Sequence, residues 1–259
     1  MKKNMTVRTI KRQKFFIVFV IAALAILITV YFAVFCRVKL VTVQNNETVQ
    51  TVSVLDAVRI MPRRHLFSIS ERKVEKAVLA ISPYVRSVQM ERKLPSEIVI
   101  TIEEHRADYY ILKDEKCYLV SDALFVLEEI PLSELDIQKT AHLTLPDINE
   151  EKFGVGKTIR FAEKEDDAYI ADLIRIFSAS PLSETATSLS LREKANITAD
   201  VGGKYHIKLG NSKEFQKKIE LCEEAVSYLT ENMNGISGTL HAWTTEKVTF
   251  EITGVAENP

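Results

Sequence analysis

Lys93-Leu94-Pro95-Ser96-Glu97-Ile98-Val99-Ile100-Thr101-Ile102-Glu103 is the stretch whose reading decides the fold. Pro95 presets φ and lacks a backbone donor, so residues 93–96 read as a turn. Beyond it, Ile98, Ile100 and Ile102 alternate with Val99, Thr101 and Glu103, the period of a strand with one face buried. Upstream, Val85 to Arg92 is strand-like and completes a hairpin. Ser68 and Glu71 have capping-box spacing, and Val74, Ala77, Val78 and Ile81 form the apolar stripe of a helix that stops at Ser82-Pro83. Before the basic loop at Arg63-Arg64, a short helix begins near Ser53. Asp56 stands at the capping-box position, and Val54, Leu55 and Val58 give an apolar face up to Met61-Pro62. Val38 to Gln44 reads as a strand closed by Asn45-Asn46, so the order is β-α-α-β-β, with the Ile face covered by two helices.

This module follows an apolar run from Phe15 to Phe35 without charge, Gly or Pro. As a helix, its 21 residues rise about 31 Å, matching a hydrocarbon core of roughly 30 Å. A cleaved signal peptide is the competing reading. Its apolar core is shorter, and Phe35 stands where a small residue is needed before a cut, which favours a retained anchor. Cys36 lacks the small neighbour that lipid attachment requires. Lys2, Lys3, Arg8, Lys11, Arg12 and Lys14 precede the run, and only Arg37 and Lys39 immediately follow it, so the N-terminus is expected to be cytoplasmic. The basic arm is also compatible with attraction to anionic membrane lipid. The rest of the chain holds 28 basic against 35 acidic residues, a net of −7, which argues against a nucleic-acid partner.

From Tyr109 the pattern shifts to short strands, Tyr109 to Leu112, Cys117 to Val120 and Phe125 to Leu127. Ala168 to Phe177 reads as a helix with Ile170, Leu173, Ile174 and Phe177 on one stripe, ended by Ser180-Pro181. Ile197 to Val201 and Tyr205 to Leu209 form a hairpin around Gly202-Gly203. Phe215, Ile219, Cys222, Val226 and Leu229 mark another helix. Thr239 to Trp243 and Lys247 to Ile252 close the chain as strands around Thr244-Thr245-Glu246. The expected organisation is α+β. A basic tail (1–14) and transmembrane helix (15–35) lead into the β-α-α-β-β module (36–106), a strand-rich β domain (107–252) and a tail (253–259).

No familiar catalytic or cofactor motif emerges. His65, His105, His142, His206 and His241 make no metal-ligand spacing and read as surface or strand histidines. Gly154-Val155-Gly156 lacks the third Gly of a dinucleotide fingerprint, and Gly156-Lys157-Thr158 resembles only the tail of a P-loop. No G-x-S-x-G elbow occurs, and the one S-x-x-K spacing, Ser70-Glu71-Arg72-Lys73, falls at the entry of the amphipathic helix. Glu163, Glu165, Asp166 and Asp167 sit where acids favour a helix entry. No cofactor is expected. Cys117 and Cys222 are compatible with a single disulfide, although Cys222 also fits a helical apolar stripe.

One family carries these pieces in this order. Leu66-Phe67-Ser68-Ile69-Ser70, Val74, Val78, Ser82-Pro83-Tyr84-Val85, Val88, Glu91-Arg92-Lys93-Leu94-Pro95 and Ile98 through Ala107 resemble the POTRA module of the bacterial division proteins FtsQ and DivIB. Arg63-Arg64 replaces that family's usual Gly before the Leu-Phe pair, and its customary turn Gly is absent near Ala123. Leu145-Pro146-Asp147-Ile148 and Gly154-Val155-Gly156 resemble landmarks of the family's β domain.

The resemblance implies a non-enzymatic divisome scaffold at the division septum, with its N-terminus inside and C-terminus outside. It implies FtsL-like and FtsB/DivIC-like partners and a link to septal peptidoglycan synthesis. A single-pass extracytoplasmic sensor or a cell-wall-associated binding protein or hydrolase are the competing classes. The family's final strands offer an edge to FtsB or DivIC, which makes Trp243, Val248, Thr249 and Phe250 candidate partner-binding residues. Filling the β-domain core is the other role open to Trp243 and Phe250.

Overall fold

In the computed structural model, residues 3–136, 139–233 and 235–255 are described. The chain forms two compact units, Met1–Glu104 and His105–Pro259. The contact boundary lies two residues before the expected one at Arg106, because β3 (Glu97–Glu104) ends the first unit's sheet at Glu104.

Helix α1 spans Lys3–Phe35, so the expected basic tail is helical from Lys3 and continuous with the apolar run; Met1 and Lys2 lie outside the described residues. Phe15–Phe35 is, among the described residues, the one helical stretch long and apolar enough to cross a membrane. The first unit continues through β1 (Leu40–Gln44), α2 (Thr51–Val58), a 3₁₀ turn at Leu66–Ser68, α3 (Glu71–Leu79), β2 (Val85–Lys93) and β3. Its sheet has the order β1-β3-β2, with β1 parallel and β2 antiparallel to the central β3. Ile98, Ile100 and Ile102 are buried with Val54, Val74, Val78, Val88 and Met90, giving the expected helix-covered face. Val99 is also buried although it alternates with them: it lies between Thr42 and Glu91, and a central strand is flanked on both sides.

Two local expectations are corrected. Ser68 does not cap α3. Its Oγ donates to the His65 carbonyl at 2.7 Å inside the 3₁₀ turn, and Ser70 precedes the helix. The first helix starts at Thr51 rather than Ser53 and stops when Arg59 turns left-handed (φ 46°), its N–H donating to the Leu55 carbonyl. Arg63, in the position where a Gly was expected, takes φ 66°.

Glu104 ties the end of β3 to the loop before α2. Its carboxylate accepts backbone N–H groups of Glu47, Thr48 and Val49 at 2.8–3.1 Å. Burial pushes this carboxyl up, but the N–H groups of Val49, Thr48 and Glu47 together outweigh it and hold it below its ordinary 4.5. The folded pKa is the lower one. This stabilisation is therefore present in full above the unfolded pKa and is lost as pH falls through the folded value. The melting temperature of the first unit is expected to fall more steeply below about pH 4.5 in the wild type than in Glu104→Gln. Parallel acid limbs in a pH series of thermal melts would refute this.

The second unit has one nine-stranded mixed sheet among the described residues, ordered β12-β11-β10-β9-β8-β7-β4-β5-β6. Its strands are β4 (Tyr109–Lys113), β5 (Lys116–Val120), β6 (Val126–Ile130), β7 (Ala141–Thr144), β8 (Ala186–Ser190), β9 (Ile197–Val201), β10 (Tyr205–Gly210), β11 (Ile236–His241) and β12 (Thr249–Val255). The parallel neighbours β7/β8 and β10/β11 are joined through helices α4 (Lys164–Ser178) and α5 (Phe215–Asn232), since parallel strands need a crossover. Both helices turn their apolar stripes onto one sheet face: Ile170, Leu173, Ile174, Phe177, Phe215, Ile219, Cys222 and Leu229 are buried with the inward residues of the strands. Cys36, Cys117 and Cys222 are free and buried, so the possible Cys117–Cys222 bridge is not formed. Thr253 to Val255 belong to β12 rather than to a tail, and residues 256–259 lie outside the described residues.

Candidate partner-binding edge

Among the described residues, β12 pairs with β11 on one side only and is an edge of the nine-stranded sheet. Edge strands leave alternate N–H and C=O groups unpaired, the template for strand addition. Leu240 pairs with Phe250 and His241 with Thr249, so Phe250 shares the core face with the fully buried Leu240 while Thr249 stands on the opposite face. The Phe250 ring meets Tyr205 edge-on, with centroids 6.2 Å apart, and covers Gly238. A Cβ at Gly238 would lie 2.3 Å from the Glu251 carbonyl oxygen and 2.7 Å from the Phe250 ring, which is why the strand carries Gly there. Val248 is half-buried against the same core, and Thr249 is exposed.

Trp243 has a different environment. Strand β11 ends at His241, so Trp243 lies in the connection to β12 rather than in a strand, and the indole remains 63% exposed. It stands edge-on to His241 at 4.8 Å. Its base is Gly210, at φ 68°, where a Cβ would approach the indole to 3.3 Å. That turn is held from below by Lys218. Its buried Nζ donates to the carbonyls of Leu209 and Asn211 and to Asn211 Oδ1 at 2.9–3.2 Å. Burial pushes the Lys218 ammonium below its ordinary range, while the three acceptors match its three protons. Thr245 Oγ1 donates to Glu214 Oε2 at 3.2 Å and pins the β11–β12 connection to the start of α5. The exposed aromatic thus rests on a tethered loop beside an open strand edge.

The four sequence-predicted residues are therefore brought to one end of the sheet, with two roles: Trp243 and Thr249 face outward, and Val248 and Phe250 pack inward. Gly210, Lys218 and Gly238 were missed. Gly238 leaves a signal as an isolated Gly in a strand, and Lys218 as a charge on the apolar stripe three residues after Phe215.

Elsewhere the second unit offers one suggestive polar cluster. Ser188 Oγ donates to Asp200 Oδ2 at 2.5 Å, and His206 Nδ1 contacts Asp200 Oδ1 at 2.6 Å. The carboxylate stands between hydroxyl and imidazole, so the serine lacks the imidazole base of a hydrolytic triad. The Gly154-Val155-Gly156 segment pairs back on the sheet, with the Gly156 N–H on the Val126 carbonyl and the Val126 N–H on the Lys157 carbonyl. It serves as a turn. No group of three metal-ligating side chains occurs among the described residues.

Residues 36–105 match the POTRA domain, FtsQ-type. The chain is 32% identical over 142 residues to the cell division protein DivIB of Clostridium tetani, covering 54% of this chain and 52% of that protein. It is 22% identical over 210 residues to DivIB of Clostridium botulinum strain Hall, covering 81% and 80%. The first of these matches thus spans about half the relative's length.

Proposed function

From the FtsQ-type POTRA domain and the DivIB relatives, which support the FtsQ/DivIB family and a role in cell division, we propose that the chain is a non-enzymatic divisome scaffold. In this reading α1 anchors it with the N-terminus inside, and both units act outside the cytoplasm. The second unit captures FtsL-like and FtsB/DivIC-like single-pass proteins and through them recruits or regulates septal peptidoglycan synthesis. The observation that carries the reading is the unpaired outer edge of β12 beside the exposed Trp243. Backbone pairing supplies the ladder, and an indole supplies contact area at low entropic cost. Fluorescent localisation with depletion tests the cellular role: a midcell band, with filamentous or chained cells on depletion, is expected, and uniform membrane staining with normal septation would refute it.

The two aromatics should separate in vitro. Trp243→Ala is expected to weaken capture of an FtsB/DivIC-like exported segment at least about tenfold, the effect of losing a hot-spot aromatic, with the melting temperature unchanged. Phe250→Ala should lower stability by about 2 kcal/mol, because it removes half-buried packing on Tyr205 and Gly238. Binding measured on folded protein beside thermal melts decides. Normal capture by Trp243→Ala would remove it from the interface.

A further inference from the structure

The first unit has one pole that is basic and apolar at once. The chain leaves α1 at Phe35, and the next residues are bonded to two other segments. The Val38 N–H donates to the Arg64 carbonyl, the Arg63 N–H to the Val38 carbonyl and the Leu66 N–H to the Cys36 carbonyl, all at 2.9–3.0 Å. The Lys39 N–H donates to the Ser96 carbonyl at 2.8 Å, which brings the β2–β3 turn to the same place. Three segments, 36–40, 59–67 and 92–96, therefore surround the helix exit, and none contains Asp or Glu. They carry Arg37, Lys39, Arg59, Arg63, Arg64, Arg92 and Lys93, of which Arg92 is engaged by the Ile69 carbonyl and Glu71, together with the exposed apolar side chains of Leu40, Met61, Phe67 and Leu94; Glu97, opposite Leu40, borders them. The opposite pole, where β1 ends and β3 leaves, holds Glu47, Glu103 and Glu104, with Arg86 3.8 Å from the Glu103 carboxylate.

The depth of this pole follows from one contact. The Phe67 ring lies 5.9 Å from Phe32, three residues before the end of α1, and His65 Nε2 lies 3.2 Å from the Phe32 carbonyl oxygen. Three residues of helix are about 4.5 Å, so if α1 spans a bilayer, Phe67 stands at the level where Tyr31, Phe32 and Phe35 form an aromatic belt. Met61, 72% exposed, and Phe67, 52% exposed, are large apolar groups left in water unless lipid covers them. Arg63 is held at φ 66°, a conformation that Gly adopts without strain. A charge is kept there against the backbone preference.

We propose that this pole is a lipid-binding surface that seats the first unit on the anionic headgroups of the outer leaflet, with Met61, Phe67 and Leu94 entering the acyl boundary and the basic side chains on lipid phosphates. The proposal rests on reading α1 as a membrane span. It is an interfacial contact of the kind made by apolar side chains ringed with Lys and Arg.

The test uses the full chain in bilayer nanodiscs containing phosphatidylglycerol, with phosphatidylcholine alone as the comparison. Nitroxide labels go on Met61→Cys and Leu94→Cys, with Glu47→Cys at the far pole and Leu24→Cys within α1. Oxygen and nickel-chelate accessibility should place the first two at the headgroup boundary, Glu47→Cys in water and Leu24→Cys in hydrocarbon. Adding Arg63→Gly and Arg64→Gln should reduce the seated fraction in anionic bilayers by about fivefold per charge removed, without effect in phosphatidylcholine. Arg63→Gly alone should also raise the melting temperature, since it relieves a left-handed non-Gly residue. Pole labels as accessible to water as Glu47→Cys, with Leu24→Cys in lipid, would overturn the lipid surface and leave the span intact. A water-accessible Leu24→Cys would overturn the span and with it the surface. Seating indifferent to lipid charge and to both arginine substitutions would overturn the headgroup recognition.

Discussion

Ile100→Asp is expected to abolish the cooperative unfolding of the first unit in the intact chain. Ile100 is fully buried in the central strand, paired with Val43 on one side and Met90 on the other, and lies in the cluster beneath α2 and α3. A carboxylate there has neither water nor a partner. Burying it, or protonating it to avoid the charge, costs about 3–5 kcal/mol, comparable with the low end of the stability of a small domain. Ile100→Val, which removes one methylene, should cost only about 1 kcal/mol. Calorimetry of both variants separates a buried charge from a volume change. An Ile100→Asp transition matching the wild type would mean that Ile100 faces solvent.

Gly238→Val should strip β12 from the sheet. The space that a side chain needs is filled by the Glu251 carbonyl oxygen at 2.3 Å and the Phe250 ring at 2.7 Å, so the strand itself must move. Overpacking of this kind costs about 1–3 kcal/mol, and here it falls on an edge strand held from one side. The expected outcome is fast hydrogen exchange confined to β11 and β12 with loss of partner capture, while the first unit melts normally. Gly238→Ala combined with Phe250→Ala should not restore the strand, because the carbonyl oxygen still blocks the new Cβ. Retained capture by Gly238→Val would show that β12 is not the edge used.

The sequence announced those elements whose signals are local. The Ile98–Ile102 alternation, the stripe through Val74 and Val78, and the helices carrying Phe177 and Cys222 bury the residues that periodicity selected. β7 and β8 escaped, because Ala141–Thr144 and Ala186–Ser190 are short and half polar and become strands by pairing with each other across α4. Positions expected to want Gly were filled differently. Leu124 takes φ 58° in the turn beside Ala123, where the resemblance led to an expected Gly, and its side chain is buried in the core, an offset that no local pattern reveals. At the candidate edge the aromatic pair was legible. Its division into an exposed Trp243 and an inward Phe250 was not, since that depends on where β11 stops and on the cross-strand partner of each residue.

The parallel pairing of β1 with β3 also has a mechanical meaning. The chain enters this sheet at Leu40, shortly after α1, and leaves it at Glu104, at the far end of the adjacent strand. Tension applied between the two chain ends of this unit would therefore pull two neighbouring strands in opposite directions along their length. The pairs from Leu40↔Glu97 to Gln44↔Thr101 are loaded together, in shear, and none can open ahead of the others as in a zipper. The Glu104 carboxylate, bonded to the backbone of Glu47, Thr48 and Val49, bears on the same exit point and adds a second fastening there. The first unit is thereby built to resist tension between its two chain ends in shear rather than by unzipping.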